Sequence, residues 1–442
     1  MSGQDSIKVK GISTDSRTIQ PDDLFVAVPG PHFDGHDFIE QVIKRKSAVA
    51  ILLSDKKFIF KTDIPIIWVK DTVYAFGHIA RFHRDRFSIP VIALTGSAGK
   101  TTTKELIAGV LESRFKVLKN VVTENNHMGV PKTLLQLDHT HEIAVIEMGT
   151  NRFGDIRWLT QIAHPTVSVL TNIGESHLEF LKTPAGVFKE KFELIKHMKK
   201  DGSVIINGDD KFLRKILKKK LPQKIFSYGI KNKSDFQAAQ LKIEQNQRVN
   251  FTVNRRHSFQ LNTPVTHNVY NALAAVACGR LFKMTYPQLQ NRIRQFAFPK
   301  GRQLIEQRNG VWVIDDTYNA NPVSVRSALQ TLNHLDVSGR KIFVCADMLE
   351  LGSQSKKLHA DMGRLAARMN VNVIITIGEF ARFISESAKK MNKDLIVHHC
   401  ETIDMTHQRL KEYCQPGDLI LVKGSRGMKM ERTIRFLLSS AE

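Results

Sequence analysis

The chain has 442 residues, too many for one ordinary hydrophobic core and enough for two to four domains, of which three suit the length. A content of 42% hydrophobic and 24% charged residues excludes a disordered or fibrous chain, and no apolar run approaches the ~18 residues that span a bilayer. The 65 Lys and Arg against 43 Asp and Glu leave +22, which raises nucleic acid, an anionic membrane or a polyanionic substrate as partners.

The start, "MSGQDSIKVK", lacks the apolar core of a secretory signal, so a cytoplasmic location is expected. From 1 to about 86, the runs "DLFVAV" (23–28), "AVAILL" (48–53) and "IPIIWV" (64–69) alternate with polar helical stretches, which predicts a small α/β domain. "RFHRDRFSIP" (81–90) reads as a link, with Pro90 stopping what precedes it.

The second expected domain, 87–299, repeats strand then helix through "VIALT" (91–95), "IAVIEM" (143–148), "VSVLTNI" (167–173) and "SVIIN" (203–207). Continuous apolar strands of this kind predict a parallel sheet covered on both faces. Residues 189–233 hold 14 Lys or Arg against 5 acids, including "KKK" at 218–220; without interleaved aromatic or Arg-rich reading elements, this is a solvated face rather than a nucleic-acid stripe. "FPKGRQL" (298–304) marks the next boundary. The third domain, 300–442, restarts the rhythm with "GVWVIDD" (310–316), "KIFVCAD" (341–347), "VNVIITIG" (371–378) and "DLILVKG" (418–424), predicting a second doubly wound sheet. Cys278, Cys345, Cys400 and Cys414 are widely spaced and suggest neither a disulfide framework nor a zinc site.

The strand "VIALT" runs into Gly96-Ser97-Ala98-Gly99-Lys100-Thr101-Thr102 and then a helix. Glycines at 96 and 99 let backbone N–H groups face inward as a nest for phosphate oxygens, reinforced by the positive end of the helix. Lys100 is placed to reach terminal phosphates and Thr101 to offer its hydroxyl to Mg²⁺. The loop is G-x-x-G-K-T, shorter than the usual form, because the position five before Gly99 is Leu94. A phosphate loop indicates a nucleotide but not a reaction.

Glu147 ends the strand before "MGTNRFGDI", on the crevice side of a parallel sheet; it is either a second magnesium ligand or a capping glutamate. His177 of "TNIGESHLE" (171–179) reaches the same edge, as a ligand or as a hydrogen-bonded structural residue. In "FKEKFELI" (188–195), Lys189 and Lys191 are solvated helix lysines unless one captures CO₂, which reverses its charge and offers oxygen ligands to a hard cation.

"TGSAGKTTTKE", "TENNHMGVPKTLL" (123–135), "EMGTNRFGDI", "NIGESHLE" and "HNVYNALAAVA" (267–277), in this order, resemble the Mur ligases, ATP-dependent amino acid and peptide ligases of bacterial cell-wall precursor synthesis. The resemblance runs from "STDSRTIQPDDLFVAVPG" (13–30) to "VKGSRGMKMER" (422–432). "GKTT" and "EMG" alone also admit folylpolyglutamate synthases. "IDDTYNANPVS" (314–324), "ADMLELGSQSKKLH" (346–359) and "NNHMGVPKTLL" point to the branch that joins D-alanyl-D-alanine to UDP-N-acetylmuramoyl-tripeptide. Where relatives commonly carry Asn-x-Asn-Asn, this chain has Thr123-Glu124-Asn125-Asn126.

The resemblance implies a UDP-substrate domain, a P-loop ATPase domain and a Rossmann-like acceptor domain, working as a monomer with ATP and two Mg²⁺ ions. It implies that Thr101 and Glu147 share the first ion, and that His177 and a carbamylated Lys191 serve the second, since Lys191 stands in the K-x-E-[IL] context. Asn268 and Asn271 fall where the family contacts adenine, Arg302 where a hinge arginine meets phosphate, and Asp316 with its neighbour Asp315 where an aspartate contacts ribose. The resemblance further implies that Asn319, Asn321 and Ser324 face the nucleotide and the incoming dipeptide, and that Ser16, Arg17, Asp34, Gly35, His36, Asn125 and Asn126 face the UDP-sugar.

Two other readings compete. A Mur-type or folylpolyglutamate-type ligase adding a different amino acid shares most of these motifs. A nucleic-acid-stimulated P-loop ATPase suits the charge but gives "TDSR", "FDGH" and "YNANP" no role.

Overall fold

The computed structural model describes residues 7–30, 33–121, 124–244 and 247–439. Two compact units divide the chain: Met1–Ser88 with Thr123–His139, and Ile89–Val122 with Thr140–Glu442.

In the first unit β1 (Gly11–Ser13), β2 (Asp23–Val26), β3 (Ala50–Leu53) and β4 (Ile66–Trp68) form a parallel sheet in chain order. Alternate side chains of a strand leave opposite faces, and here both faces are covered. Phe25, Ile51 and Leu53 pack with Ile39 and Val42 of the helix Ile39–Lys44. Leu24, Val26 and Leu52 pack with Phe76 of the helix Thr72–Asp85, which Asp71 caps. Met128 and Leu135 join that second cluster. Segment 123–139, which the strand-helix rhythm assigns to the middle domain, is therefore part of the first unit's core.

The second unit contains two sheets. The larger comprises β5 (Val91–Thr95), β6 (Val117–Lys119), β7 (Ile143–Glu147), β8 (Val167–Leu170), β9 (Ser203–Asn207), β10 (Lys224–Gly229), β11 (Phe236–Ile243), β12 (Val249–Val253) and β13 (His257–Leu261), in the order β13-β12-β11-β10-β9-β8-β5-β7-β6. Strands β6 to β11 run parallel, and β12 and β13 continue as an antiparallel arm. The helix Lys100–Leu111 packs beside Asn268–Leu281, with Leu106, Ile107, Val110 and Leu111 fully buried. Each such side chain contributes about 1.5–3 kcal/mol, enough to hold the phosphate loop rigidly on the sheet.

The smaller sheet comprises β14 (Leu304–Arg308), β15 (Val311–Asp316), β16 (Lys341–Ala346), β17 (Val373–Ile377), β18 (Ile396–Cys400) and β19 (Leu419–Lys423), in the order β14-β15-β19-β16-β17-β18. It is parallel except for β14, which pairs antiparallel with β15. Among the described residues no helix is long and apolar enough to cross a membrane.

Candidate active site

Strand β5 delivers the loop to the C-terminal edge of the larger sheet. Gly99 has φ +77°, and a Cβ on Gly96 would sit 1.8 Å from the Thr171 Oγ1, so neither position accepts a larger residue unchanged. Asn172 fixes the loop from the end of β8: its Oδ1 accepts from Ala98 N at 2.8 Å and its Nδ2 donates to Ala98 O at 3.0 Å. The Ser97 hydroxyl accepts from Gly174 N and from Ser176 Oγ, both at 3.0 Å. Lys100 Nζ donates to Gly96 O at 3.1 Å. Burial lowers the Lys100 pKa, against the pull of the Glu147 carboxylate and with the push of Arg302. Thr101 and Thr102 are buried in the first turn of the helix.

Glu147, at the end of β7, is 4% exposed. Its backbone is gripped from both sides by Asn120, whose Oδ1 accepts from Glu147 N at 2.9 Å and whose Nδ2 donates to Glu147 O at 3.0 Å. His177 sits in the left-handed region (φ 53°) just before the short helix Leu178–Leu181. Its Nδ1 lies 2.5 Å from Glu350 Oε2. Burial lowers the His177 pKa, opposed by Glu350, while the hydrogen bond from His177 lowers that of Glu350.

The helix Pro184–His197 begins with Thr183 accepting from Gly186 N. Its buried stripe is Val187, Glu190, Lys191, Leu194 and Ile195, the i, i+3, i+4 spacing of a core-facing surface. Lys191 is consequently 1% exposed, whereas Lys189 is exposed and lies over the Phe153 ring. Burial holds the Lys191 amine well below the usual lysine range, and Lys100 adds to the effect. Glu190 is spent on structure, accepting from Gly154 N and Ile156 N, both at 2.8 Å, at the start of the helix Asp155–Ala163.

The smaller-sheet lobe closes the site from the other side. Arg302 Nη2 donates to Thr101 Oγ1 at 3.0 Å, and its guanidinium lies 3.6 Å from the Tyr318 ring centroid. Asp316 is paired with the buried Lys423 at 2.6 Å. Burial raises its pKa, with Lys423 opposing. Asp315 instead ties down Gly301 N and Thr317, which shapes the hinge before Arg302. Asn319 Oδ1 accepts from Ala320 N, and its carbonyl accepts from Lys423.

Several residues expected to contact ligands also have protein partners. Asn271 accepts from Thr103 Oγ1 at 3.0 Å and donates to Asn268 Oδ1 at 2.9 Å, so both buried amides brace the loop helix. Asn321 and Ser324 form a capping box on the helix Pro322–His334, and Asn321 Nδ2 also donates to Ser97 O at 3.1 Å. In the first unit Arg17 is paired with Asp15, beside Ser16. Asp34 accepts from His36 N and from the His36 ring, whose Nε2 accepts from Ser54 N. Gly35 lies against Val28, and Asn126 accepts from Met128 N and Gly129 N. Asn125 and Glu124 are described but Thr123 lies outside the described residues.

Thr101 and Glu147 offer hard oxygen donors, and Mg²⁺ is commonly held by one or two such groups plus substrate phosphates. Their burial beside Lys100 fits one ion. Among the described residues no group of three or more His, Cys, Asp or Glu side chains is preassembled for a metal. Asn120, Asn172, Tyr318, Glu350 and Lys423 were not singled out from the sequence. Asn172, Tyr318, Glu350 and Lys423 stand in quoted motifs, but their roles depend on partners elsewhere in the chain; Asn120 has no local signature.

The family model described as Mur ligase middle domain matches residues 94–279, Mur ligase, glutamate ligase domain matches 302–426, and Mur ligase family, catalytic domain matches 8–84. The UDP-N-acetylmuramoyl-tripeptide--D-alanyl-D-alanine ligase of Bacillus subtilis is 34% identical over 436 residues, covering 98% of this chain and 94% of that protein. The ligase of the same name from Escherichia coli is 33% identical, with 98% and 94% covered. The crystal structure of MurF ligase from Thermotoga maritima in complex with ADP superposes with a TM-score of 0.87 at 28% identity over 98% of both chains. MurF from Acinetobacter baumannii gives 0.87 at 30% identity over 97% of this chain and 93% of that one.

Proposed function

Because the chain belongs to the Mur ligase family, we propose that its loop site activates the peptide carboxylate of UDP-N-acetylmuramoyl-tripeptide for attack by D-alanyl-D-alanine, with ATP as phosphoryl donor. A carboxylate oxygen attacks the γ-phosphorus, the bond to the bridging oxygen breaks and ADP departs. The dipeptide amine then attacks the acyl carbon, loses a proton, and phosphate leaves with the former carboxylate oxygen. The detour is needed because hydroxide is a poor leaving group.

Phosphoryl transfer asks mainly for positioning and charge neutralisation. The loop N–H groups and Lys100 hold the β- and γ-phosphates. Arg302 adds a cation at Thr101 from the opposite lobe; this bond is the observation that supports the reading best, since it brings an arginine of the second lobe to the loop. Thr101 and Glu147 are the residues for one magnesium ion, and His177 with Lys191 for a second. Magnesium supplies charge neutralisation at the transferring phosphate. The buried, depressed amine of Lys191 supports a carbamate there, because only a neutral amine adds to CO₂. The lobe over the loop excludes water from an acyl phosphate that hydrolyses readily.

For the UDP-sugar the proposed residues are Ser16, Arg17, Asp34, Gly35, His36, Asn125 and Asn126. Asp316 and Asn319 serve the nucleotide, and Asn321 and Ser324 shape the dipeptide side through the helix they cap. Phosphate release should require both UDP-N-acetylmuramoyl-tripeptide and D-alanyl-D-alanine. Equal release with single amino acids in place of the dipeptide would assign the chain to a different branch.

A further inference from the structure

Glu350 follows His177 by 173 residues and belongs to the other lobe, yet its Oε2 is 2.5 Å from the His177 ring. The meeting is not a chance touch of two long side chains. Glu179 N donates to the Glu350 carbonyl at 3.1 Å, and Gln354 Nε2 donates to the Lys182 carbonyl at 3.1 Å. Gly352, at φ +57°, comes so close that a Cβ there would lie 3.0 Å from Glu179 Cα. Backbone therefore meets backbone beside the pair.

The loop bearing Glu350 is itself held firmly in its lobe. Met348 N donates to His359 Nε2 at 2.9 Å, and Leu349 N donates to Ser425 Oγ at 2.8 Å. Asp347 accepts from Phe380 N and Ala381 N. Glu350 takes a left-handed conformation (φ 62°) that turns its backbone at this point. On the other side, the His177 carbonyl accepts from Phe180 N and Leu181 N, which anchors the ring's backbone to the larger sheet's lobe.

A carboxylate only accepts, so the His177 nitrogen facing Glu350 carries the proton and Nε2 keeps its lone pair. Histidines that bind metal usually have their other nitrogen engaged in this way. We propose that Glu350 is a positioning residue for the transfer reaction: it fixes the tautomer and ring direction of His177, so that the form of His177 with a free Nε2 is favoured while the smaller-sheet lobe is docked. This rests on His177 being a ligand of the second ion. The site then cannot tighten on its second cation until the lobe that excludes water is in place, which limits futile ATP hydrolysis by an open enzyme.

The test uses the full-length protein. Side-chain nitrogen NMR of metal-free, histidine-labelled protein should show His177 protonated at Nδ1, and Glu350→Ala should shift it toward the Nε2-protonated form. Titration with Mn²⁺ in the presence of ADP should show affinity falling roughly 10-fold or more in the same variant. Glu350→Gln, which keeps an acceptor oxygen, should restore part of both. Glu350 is 42% exposed on its side chain, so these variants should fold normally. If Glu350→Ala changes neither the tautomer nor the affinity while His177→Gln weakens Mn²⁺ binding, the positioning role is overturned and the ligand role of His177 stands. If His177→Gln binds Mn²⁺ as tightly as the wild type, the ligand role fails and the proposal with it.

Discussion

Lys189 and Lys191 are two positions apart, and the helix turns them to opposite environments: the first to solvent over Phe153, the second into the stripe of Val187, Leu194 and Ile195. Removing Lys191 should therefore cost far more than removing Lys189. Lys191→Ala is expected to lose roughly 100-fold in turnover, with partial recovery on adding short carboxylates, whereas Lys189→Ala should stay within a few-fold of wild type by phosphate release; the reverse order would place the essential amine at 189. Lys100→Ala removes the phosphate-facing cation and should lower turnover by roughly 100- to 1,000-fold, while thermal unfolding of the unliganded protein stays close to wild type. Near-normal rates in that variant would end the assignment of the loop. At this scale the sequence singled out Lys100, Thr101, Glu147, His177 and Arg302, because they lie in short motifs whose residue types suggest a chemistry. It was silent on Asn120, Lys423 and Glu350, whose tasks exist only through partners brought in by the fold.

Among the elements, the apolar strands β5, β7, β8 and β9 were legible because burial on both faces leaves continuous Val and Ile runs. The arm β11–β13 was not read, although Val249, Phe251 and Val253 alternate with Asn250 and Thr252 as a half-solvated strand does. Strand β14 was missed too, despite an Asn309-Gly310 pair with φ of 49° and 78° that joins it to β15 as a two-residue hairpin turn. The turn after β9 offers a prediction of its own. Asp209 accepts from Ile230 N at 2.7 Å, Lys231 N at 2.9 Å, Asn232 N at 2.7 Å and the Tyr270 hydroxyl at 2.9 Å. Burial opposes its charge, but the backbone donors outweigh that and lower its pKa below the ordinary 3.8. Its contribution to stability is thus complete above pH 4 or so and is lost as pH falls through the lowered pKa. Asp209→Asn should lose about 1–2 kcal/mol at neutral pH and show a flatter fall in melting temperature below pH 4; parallel acid profiles for the two proteins would remove this carboxylate from the account.

For the whole molecule, the three-part division was visible in the restart of the strand rhythm, but the membership of segment 123–139 was not. Its apolar residues Met128 and Leu135 pack on Phe76 rather than on the sheet that flanks them in the chain, and only the fold reveals that preference. The charge of +22 is not concentrated in the site, where Lys100, Lys191 and Arg302 act on one another together with the carboxylates Glu147 and Glu350. What the lobes are proposed to provide together is a dry place in which a carboxylate is phosphorylated and then met by an amine. That claim is open to one direct measurement: supply UDP-N-acetylmuramoyl-tripeptide with isotopically labelled carboxylate oxygens, ATP and D-alanyl-D-alanine, and analyse the released phosphate by mass. Phosphate carrying one labelled oxygen for each amide formed is the predicted result. Phosphate that takes its new oxygen from water, with amide still formed, would contradict the account.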